Sequence, residues 1–236
     1  MATGCYARMF ERWRGSSIPE NYLHATNLAS QCYQAMFIDC INLTSLMSQL
    51  PATTLAQKCY YAMFEGCKSL STIPSNFLPA VTLANQCYWN MFNGCTSLTS
   101  LLLLPANVMA PSCYQGMFSN CTSISAIPQN YFSSNISLAN SCFYSMFNGC
   151  KALNHVPEDL LPAKKLASYC YKFMFSNCTS LVDAPKLPAT KLIQNCYESM
   201  FAGCSSLMKL DVSFTEWTNP GTAVNGWVSN VNTQNG

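Results

Sequence analysis

The chain has 236 residues, a formal net charge of +2, and 9% charged against 50% hydrophobic residues. That balance is enough for a sizeable core, leaves surface solvation to Ser, Thr, Asn and Gln, and gives no general attraction to nucleic acid. No apolar run approaches the roughly 18 residues of a membrane span, so membrane insertion is not expected. The start, Met-Ala-Thr-Gly-Cys, carries no secretory signal; the chain reads either as a piece of a longer exported protein or as one not exported by that route.

From Cys5 to Cys204 one unit recurs. Cys-aromatic-x-x-Met-Phe starts at Cys5, Cys32, Cys59, Cys87, Cys113, Cys142, Cys170 and Cys196, and a second Cys follows eight residues later in all but the first copy. The starts lie 26 to 29 residues apart, a period typical of solenoids whose units bury their apolar faces against neighbours. Such an array offers extended surface rather than one central cleft, which directs the functional reading to binding and away from catalysis.

In chain order, the first unit (residues 1–31) is degenerate: Trp13 replaces the second Cys, and Ser16 stands where later units have Leu, as in a capping repeat. Through residues 32–214 the pattern is regular, with the first Cys of each unit counted as position 0. Position −4 is apolar (Leu28, Leu55, Leu83), −3 is Ala in six of seven units, and apolar residues recur at 0, +4, +5, +8 and +11. The spacing of −4, 0 and +4 predicts one face of a helix of about three turns. Gly66, Gly94, Asn120 or Asp39 at +7 would end it in the left-handed conformation those residues tolerate. The segment after it, such as Cys95-Thr96-Ser97-Leu98-Thr99-Ser100-Leu101, predicts a short strand. Pro terminates the strand (Ile73-Pro74, Ile127-Pro128), and Leu-Pro-Ala often leads into the next helix (Leu50-Pro51-Ala52, Leu78-Pro79-Ala80). Residues 215–236 read as a polar C-terminal cap or tail.

All length variation falls between +11 of one unit and −4 of the next, a stretch of 11 to 14 residues, which places irregular loops along one edge. Phe77, Tyr131 and Phe132 lie on that edge, where they either anchor a partner or plug the solenoid interior. His155 lies on the adjacent strand face, at +13. That face begins Thr44-Ser45, Ser71-Thr72, Thr99-Ser100: a platform for protein or glycan, or plain solvation of a strand. Half of the twelve Lys and Arg lie between Lys151 and Lys191 and read as a solvated face.

Fifteen cysteines invite a disulfide reading. If a helix separates 0 from +8, however, the two Cα atoms are about 10–12 Å apart, beyond the roughly 7 Å a disulfide tolerates. Mostly free, buried thiols acting as small hydrophobes are therefore expected. The spacing also lacks the close ligand pairs of zinc sites, and no Gly-rich phosphate loop precedes a helix, so neither metal nor cofactor is expected. No motif links His24 or His155 to a nucleophile and an orienting carboxylate, so no hydrolase triad is expected.

These residues resemble the leucine-rich repeats of the BspA-like family, surface proteins of gut and oral anaerobic bacteria. That family's Ala-Phe-x-x-Cys-x-x-Leu and aliphatic-Pro strand end are matched by Met63-Phe64, Cys67, Leu70 and Ile73-Pro74, and likewise in other units. The Cys-Tyr-x-x-Met-Phe variant and the ending Asn225-Gly226-Trp227-Val228-Ser229 look like a subgroup from gut Bacteroidetes. The resemblance runs from about residue 5 to 232. It implies an α/β repeat fold, a right-handed leucine-rich-repeat solenoid with short concave strands and short convex helices. It also implies a non-enzymatic adhesion or binding module of an exported surface protein, recognising a protein or glycan at the cell surface or outside the cell. Two alternatives stay open: a phage virion receptor-binding component built from the same repeats, and a scaffold for an enzyme domain outside this chain.

Overall fold

The computed structural model describes residues 2–215 and 222–231. In each unit the chain from −1 to +8 is a ribbon of overlapping four-residue turns, and successive ribbons stack. Backbone donors explain the stacking. In the unit starting at Cys32, the N–H groups of Cys32, Gln34, Met36, Ile38 and Cys40 donate to carbonyls three residues back. Those of Gln31, Tyr33, Ala35, Phe37 and Asp39 donate to Gln57, Cys59, Tyr61, Met63 and Glu65 of the next unit, at 2.7–3.0 Å. Alternate donors thus serve the turn and the neighbour, and every N–H from Gln31 to Cys40 has a partner.

This ribbon stands where the repeat spacing predicts a helix, and among the described residues there is no α-helix. Positions −1, +3 and +7 have positive φ, 58°, 52° and 57° at Gln31, Ala35 and Asp39. A right-handed helix admits no such residue. The apolar period of four, which imitates an i, i+4 helix face, arises because the ribbon repeats every two overlapping turns. Left-handed conformation costs about 1–2 kcal/mol at each non-glycine residue. Burial between ribbons offsets it, at about 1.5–3 kcal/mol per large apolar side chain.

Two columns of rings fill the space between ribbons. At +1, Tyr33, Tyr60, Tyr88, Tyr114, Phe143, Tyr171 and Tyr197 follow one another at 5.7–6.0 Å, with ring planes 5–11° apart. At +5, Phe37, Phe64, Phe92, Phe118, Phe147, Phe175 and Phe201 do so at 5.6–5.9 Å. Met at +4 and the aliphatic residue at +11 are buried beside them, as at Met117 and Ile124. The second Cys has a specific task. Sγ of Cys67, Cys95, Cys121, Cys150, Cys178 and Cys204 donates to the +5 Phe carbonyl of the preceding unit at 3.0–3.3 Å. A small apolar side chain with one weak donor suits that place. All fifteen thiols are free and only Cys5 is exposed, although it is a turn ribbon and not a helix that separates 0 from +8.

The expected strands are reduced to isolated parallel bridges. One column, at +13 except for Ser17 at +12 of the degenerate first unit, includes Ser17–Ser45, Ala126–His155 and Asp183–Lys209. A more continuous one, at −5, joins Asn27, Thr54, Thr82, Val108 and Ser137, and the spacing of large aliphatics gave no sign of it. Both terminal segments carry the ribbon. Tyr6 stacks on Tyr33 and Phe10 on Phe37, at 5.5 and 5.4 Å. Tyr197, Ser199, Phe201 and Gly203 donate to Ala223, Asn225, Trp227 and Ser229 at 2.7–2.9 Å. Residues 216–221 and 232–236 of the expected C-terminal cap lie outside the described residues.

Candidate binding surface

After the +13 column the chain enters the loops of variable length. Their Leu-Pro steps form a row in which Leu50, Leu78, Leu104, Leu161 and Leu187 are buried, while the adjoining prolines are half-buried or exposed. A groove of about 470 Å³ runs across this row, lined among others by Gln49, Asn76, Pro79, Leu103, Asn130 and Tyr131. Leu103 stands 56% exposed at its side. Gln49 Nε2 donates to the Asn76 carbonyl at 3.0 Å, which ties one loop to the next. A smaller groove of about 270 Å³ lies further along, between Glu158, Leu161, Pro162 and Lys186. Lys186 Nζ meets Glu158 Oε1 at 2.7 Å, and that carboxylate raises the ammonium above its usual range.

The aromatic residues expected as anchors are mostly interior. Phe77 is fully buried, with its ring 5.9 and 6.2 Å from those of Phe64 and Phe92. Phe132 is buried against Phe143 at 4.6 Å, and Tyr131 against Phe147 at 6.4 Å. The physical reason is local: longer loops leave space beside the ring columns, and a bulky side chain fills it. Of the two roles open to these rings, plugging the interior is the one the structure places them in. Tyr131 does both, since its buried ring forms part of the groove wall. Its hydroxyl has no protein hydrogen-bond partner among the described residues, and burial raises it above the usual phenol range. His155 is exposed in the +13 bridge column, apart from the residues that line the groove.

The expected solvated basic face also needs correction at Lys172. Its Nζ pairs with Glu198 Oε2 at 2.8 Å and lies 5.1–5.9 Å from the ring centres of Phe173, Tyr169 and Tyr144. This cation is held within a ring cluster rather than dissolved on a surface. A second outer pair, Tyr61 and Trp89, meets edge to face at 5.2 Å. These +2 side chains escaped the sequence reading, although aromatic residues next to the +1 column were their visible signal. Further up the ribbon, burial raises the Glu65 carboxyl above its usual range, opposed by Asn93 Nδ2 donating at 2.9 Å. Among the described residues no helix is long and apolar enough to cross a membrane. Among them, too, no group of three His, Cys, Asp or Glu is placed to hold a metal.

No protein-family model matches the sequence, and no curated protein matches it. The chain is similar to a solved leucine-rich repeat protein from Bacteroides ovatus, at 18% identity over 84% of this chain and 55% of that one, with a TM-score of 0.32. It is similar to the T. pallidum leucine-rich repeat protein at 19% identity over 83% and 82% of the two chains, with a TM-score of 0.40. It is also similar to a leucine-rich cell surface protein from Faecalibacterium prausnitzii, at 16% identity over 94% and 65%, with a TM-score of 0.38. This chain therefore spans little more than half of the first of these proteins and about two thirds of the third.

Proposed function

We propose that this chain is a binding module of the BspA-like leucine-rich-repeat kind, a right-handed solenoid that recognises a protein or glycan at a bacterial cell surface or outside the cell. The observation that carries the reading is the groove on the loop edge. It combines the amides of Gln49, Asn76 and Asn130 with apolar walls from Pro79, Leu103 and the Tyr131 ring. Amides bond hydroxyls or peptide groups while the walls cover apolar faces, a combination suited to sugar rings and peptide segments alike. Its described lining includes no Asp, Glu, His, Lys or Cys, hence no acid–base pair for chemistry. The ribbon stack holds the loops in place before any partner arrives, which lowers the ordering cost of binding.

Purified chain is screened on glycan and host-protein arrays, and any hit is titrated against variants. Leu103→Glu combined with Asn130→Ala is expected to weaken it at least tenfold without lowering the melting temperature. Loss of binding in Thr99→Ala/His155→Ala, with the groove variant unaffected, would move the working surface to the +13 face. It would sink the groove assignment.

A further inference from the structure

The more continuous bridge column, at −5, runs through Asn27, Thr54, Thr82, Val108 and Ser137 and holds successive layers in parallel register. Position −6 stands beside it in the chain. From Thr26-Asn27 to Thr190-Lys191 both positions are exposed, with Ile136 alone half-buried. Val81 and Val108 are 61% and 62% exposed. The two positions therefore form a narrow strip along the stack, one residue pair per layer and about 5 Å from layer to layer. No residue of this strip is aromatic, and none is Arg.

The strip is uncharged as far as Ser137 and cationic beyond it, where Lys164, Lys165 and Lys191 fall in two successive layers. Leu161-Pro162-Ala163-Lys164-Lys165-Leu166 and Leu187-Pro188-Ala189-Thr190-Lys191-Leu192 match residue for residue except at −6. Backbone bonds on both sides keep these segments in register: Lys186 N–H donates to the Glu158 carbonyl at 2.8 Å, and Tyr169 N–H to the Gln194 carbonyl at 3.0 Å. Lys165 and Lys191 are thus neighbours across the layers, with Lys164 beside Lys165. Like charges on neighbouring strands repel. Lys172, Lys186 and Lys209, in the same units, each meet a carboxylate at 2.7–3.1 Å. Among the described residues Lys164, Lys165 and Lys191 have no such partner. Glu158 and Asp159 stand before the Leu-Pro step, and Glu158 is held by Lys186.

We infer that this strip binds an acidic glycan, whose carboxylate or sulfate groups are held by Lys164, Lys165 and Lys191. An ammonium group on a flexible stem is a point charge that takes anions spaced along a chain without demanding one fixed geometry. The hydroxyls and small apolar side chains of the preceding layers, such as Thr82, Val108 and Ser137, are free to cover sugar rings of the same ligand. Composition tells against two other anionic partners. Protein interfaces are depleted of Lys and enriched in aromatic residues and Arg, which the strip lacks. Anionic lipid surfaces are bound by clusters of about four to eight basic residues, more than the strip carries. It shares no residue with the lining of the groove at Gln49 and Tyr131, so it binds independently of that groove.

Fluorescence anisotropy with labelled oligosaccharides of heparin and of polygalacturonate tests this, with labelled dextran as the neutral control and phosphatidylglycerol vesicles in a co-sedimentation arm. The full chain is expected to bind at least one of the two acidic glycans, more weakly as salt screens the contact. Lys164→Gln/Lys165→Gln/Lys191→Gln is expected to weaken that binding at least tenfold without lowering the melting temperature. Lys58→Gln/Lys68→Gln/Lys151→Gln removes the same charge away from the strip and is expected to leave the affinity unchanged. Failure to bind either acidic glycan, equal affinity for dextran, equal loss in the two triple variants, or capture by the vesicles in place of the glycans would each overturn the inference.

Discussion

At the residue scale the array depends on side chains that are small where ribbons touch and protonated where they are buried. Gly149 illustrates the first requirement. Its φ is +74°, and an added Cβ would sit 2.6 Å from Oδ1 of Asn120 in the preceding unit. Asp39 over Gly66 and Asn177 over Gly203 repeat the arrangement. Gly94 has a similar φ of +73°, but nothing lies nearer than 3.8 Å. Gly94→Ala is expected to cost about 1–2 kcal/mol for conformation alone, and Gly149→Ala about 1 kcal/mol more for the crowding. Equal losses in urea melts would mean that Asn120 moves aside freely. The second requirement concerns the thiols. Burial pushes Cys87, Cys95, Cys142, Cys150 and Cys204 from 9.0 up to about 12. The folded state then holds these protons more tightly than the unfolded chain does. Their contribution is complete below pH 9 and is lost as pH rises from there through about 12. Melting temperature is expected to fall steadily over that window, and a thiol reagent near neutral pH is expected to modify Cys5 quickly and the other fourteen only on unfolding. A melting temperature unchanged up to pH 11 would contradict the assigned burial.

At the scale of the element, the unit is a layer in a stack and has no core of its own. Phe118 lies between Phe92 and Phe147 at 5.9 and 5.8 Å, and its carbonyl accepts the Cys150 thiol. Phe118→Ala is expected to cost about 3–5 kcal/mol, and hydrogen exchange should quicken in both adjoining units as well as in its own. A loss confined to one unit would mean that the layers fold independently. Much of the composition of these layers was legible in the sequence: positions 0, +4, +5, +8 and +11 are buried, as is the aromatic residue at +1. The conformation that buries them was not. Gly66, Gly94 and Asn120 marked +7 as left-handed, but −1 and +3 hold Gln31, Lys58, Ala35 and Ala62, whose side chains give no sign of positive φ. Those residues adopt it because the neighbouring ribbon accepts their N–H groups, a cause outside the local sequence. Run lengths told against a helix too. Three steps of four from −4 to +8 turn an ideal helix face by about 120°, too far for one narrow stripe.

At the scale of the whole molecule, a column of satisfied, stacked ribbons carries an edge of loops with few backbone bonds. The loop edge was legible from the length variation, whereas the groove on it was not, because it gathers residues as far apart as Gln49 and Ser133. Phe77 and Phe132 misled for a related reason. An aromatic residue in a variable loop reads as an anchor until the cavity that it fills is visible. The ribbons form one rigid stack that presents these loops, and hydrogen exchange of the intact chain followed by mass spectrometry tests this most directly. Ribbon segments such as 113–121, where each N–H is bonded within the turn or to the next unit, are expected to exchange slowly and together along the array. Loop segments such as 129–132, whose N–H groups have no backbone partner among the described residues, are expected to exchange orders of magnitude faster. Ribbons that exchange as fast as the loops, or each at its own unrelated rate, would contradict the account.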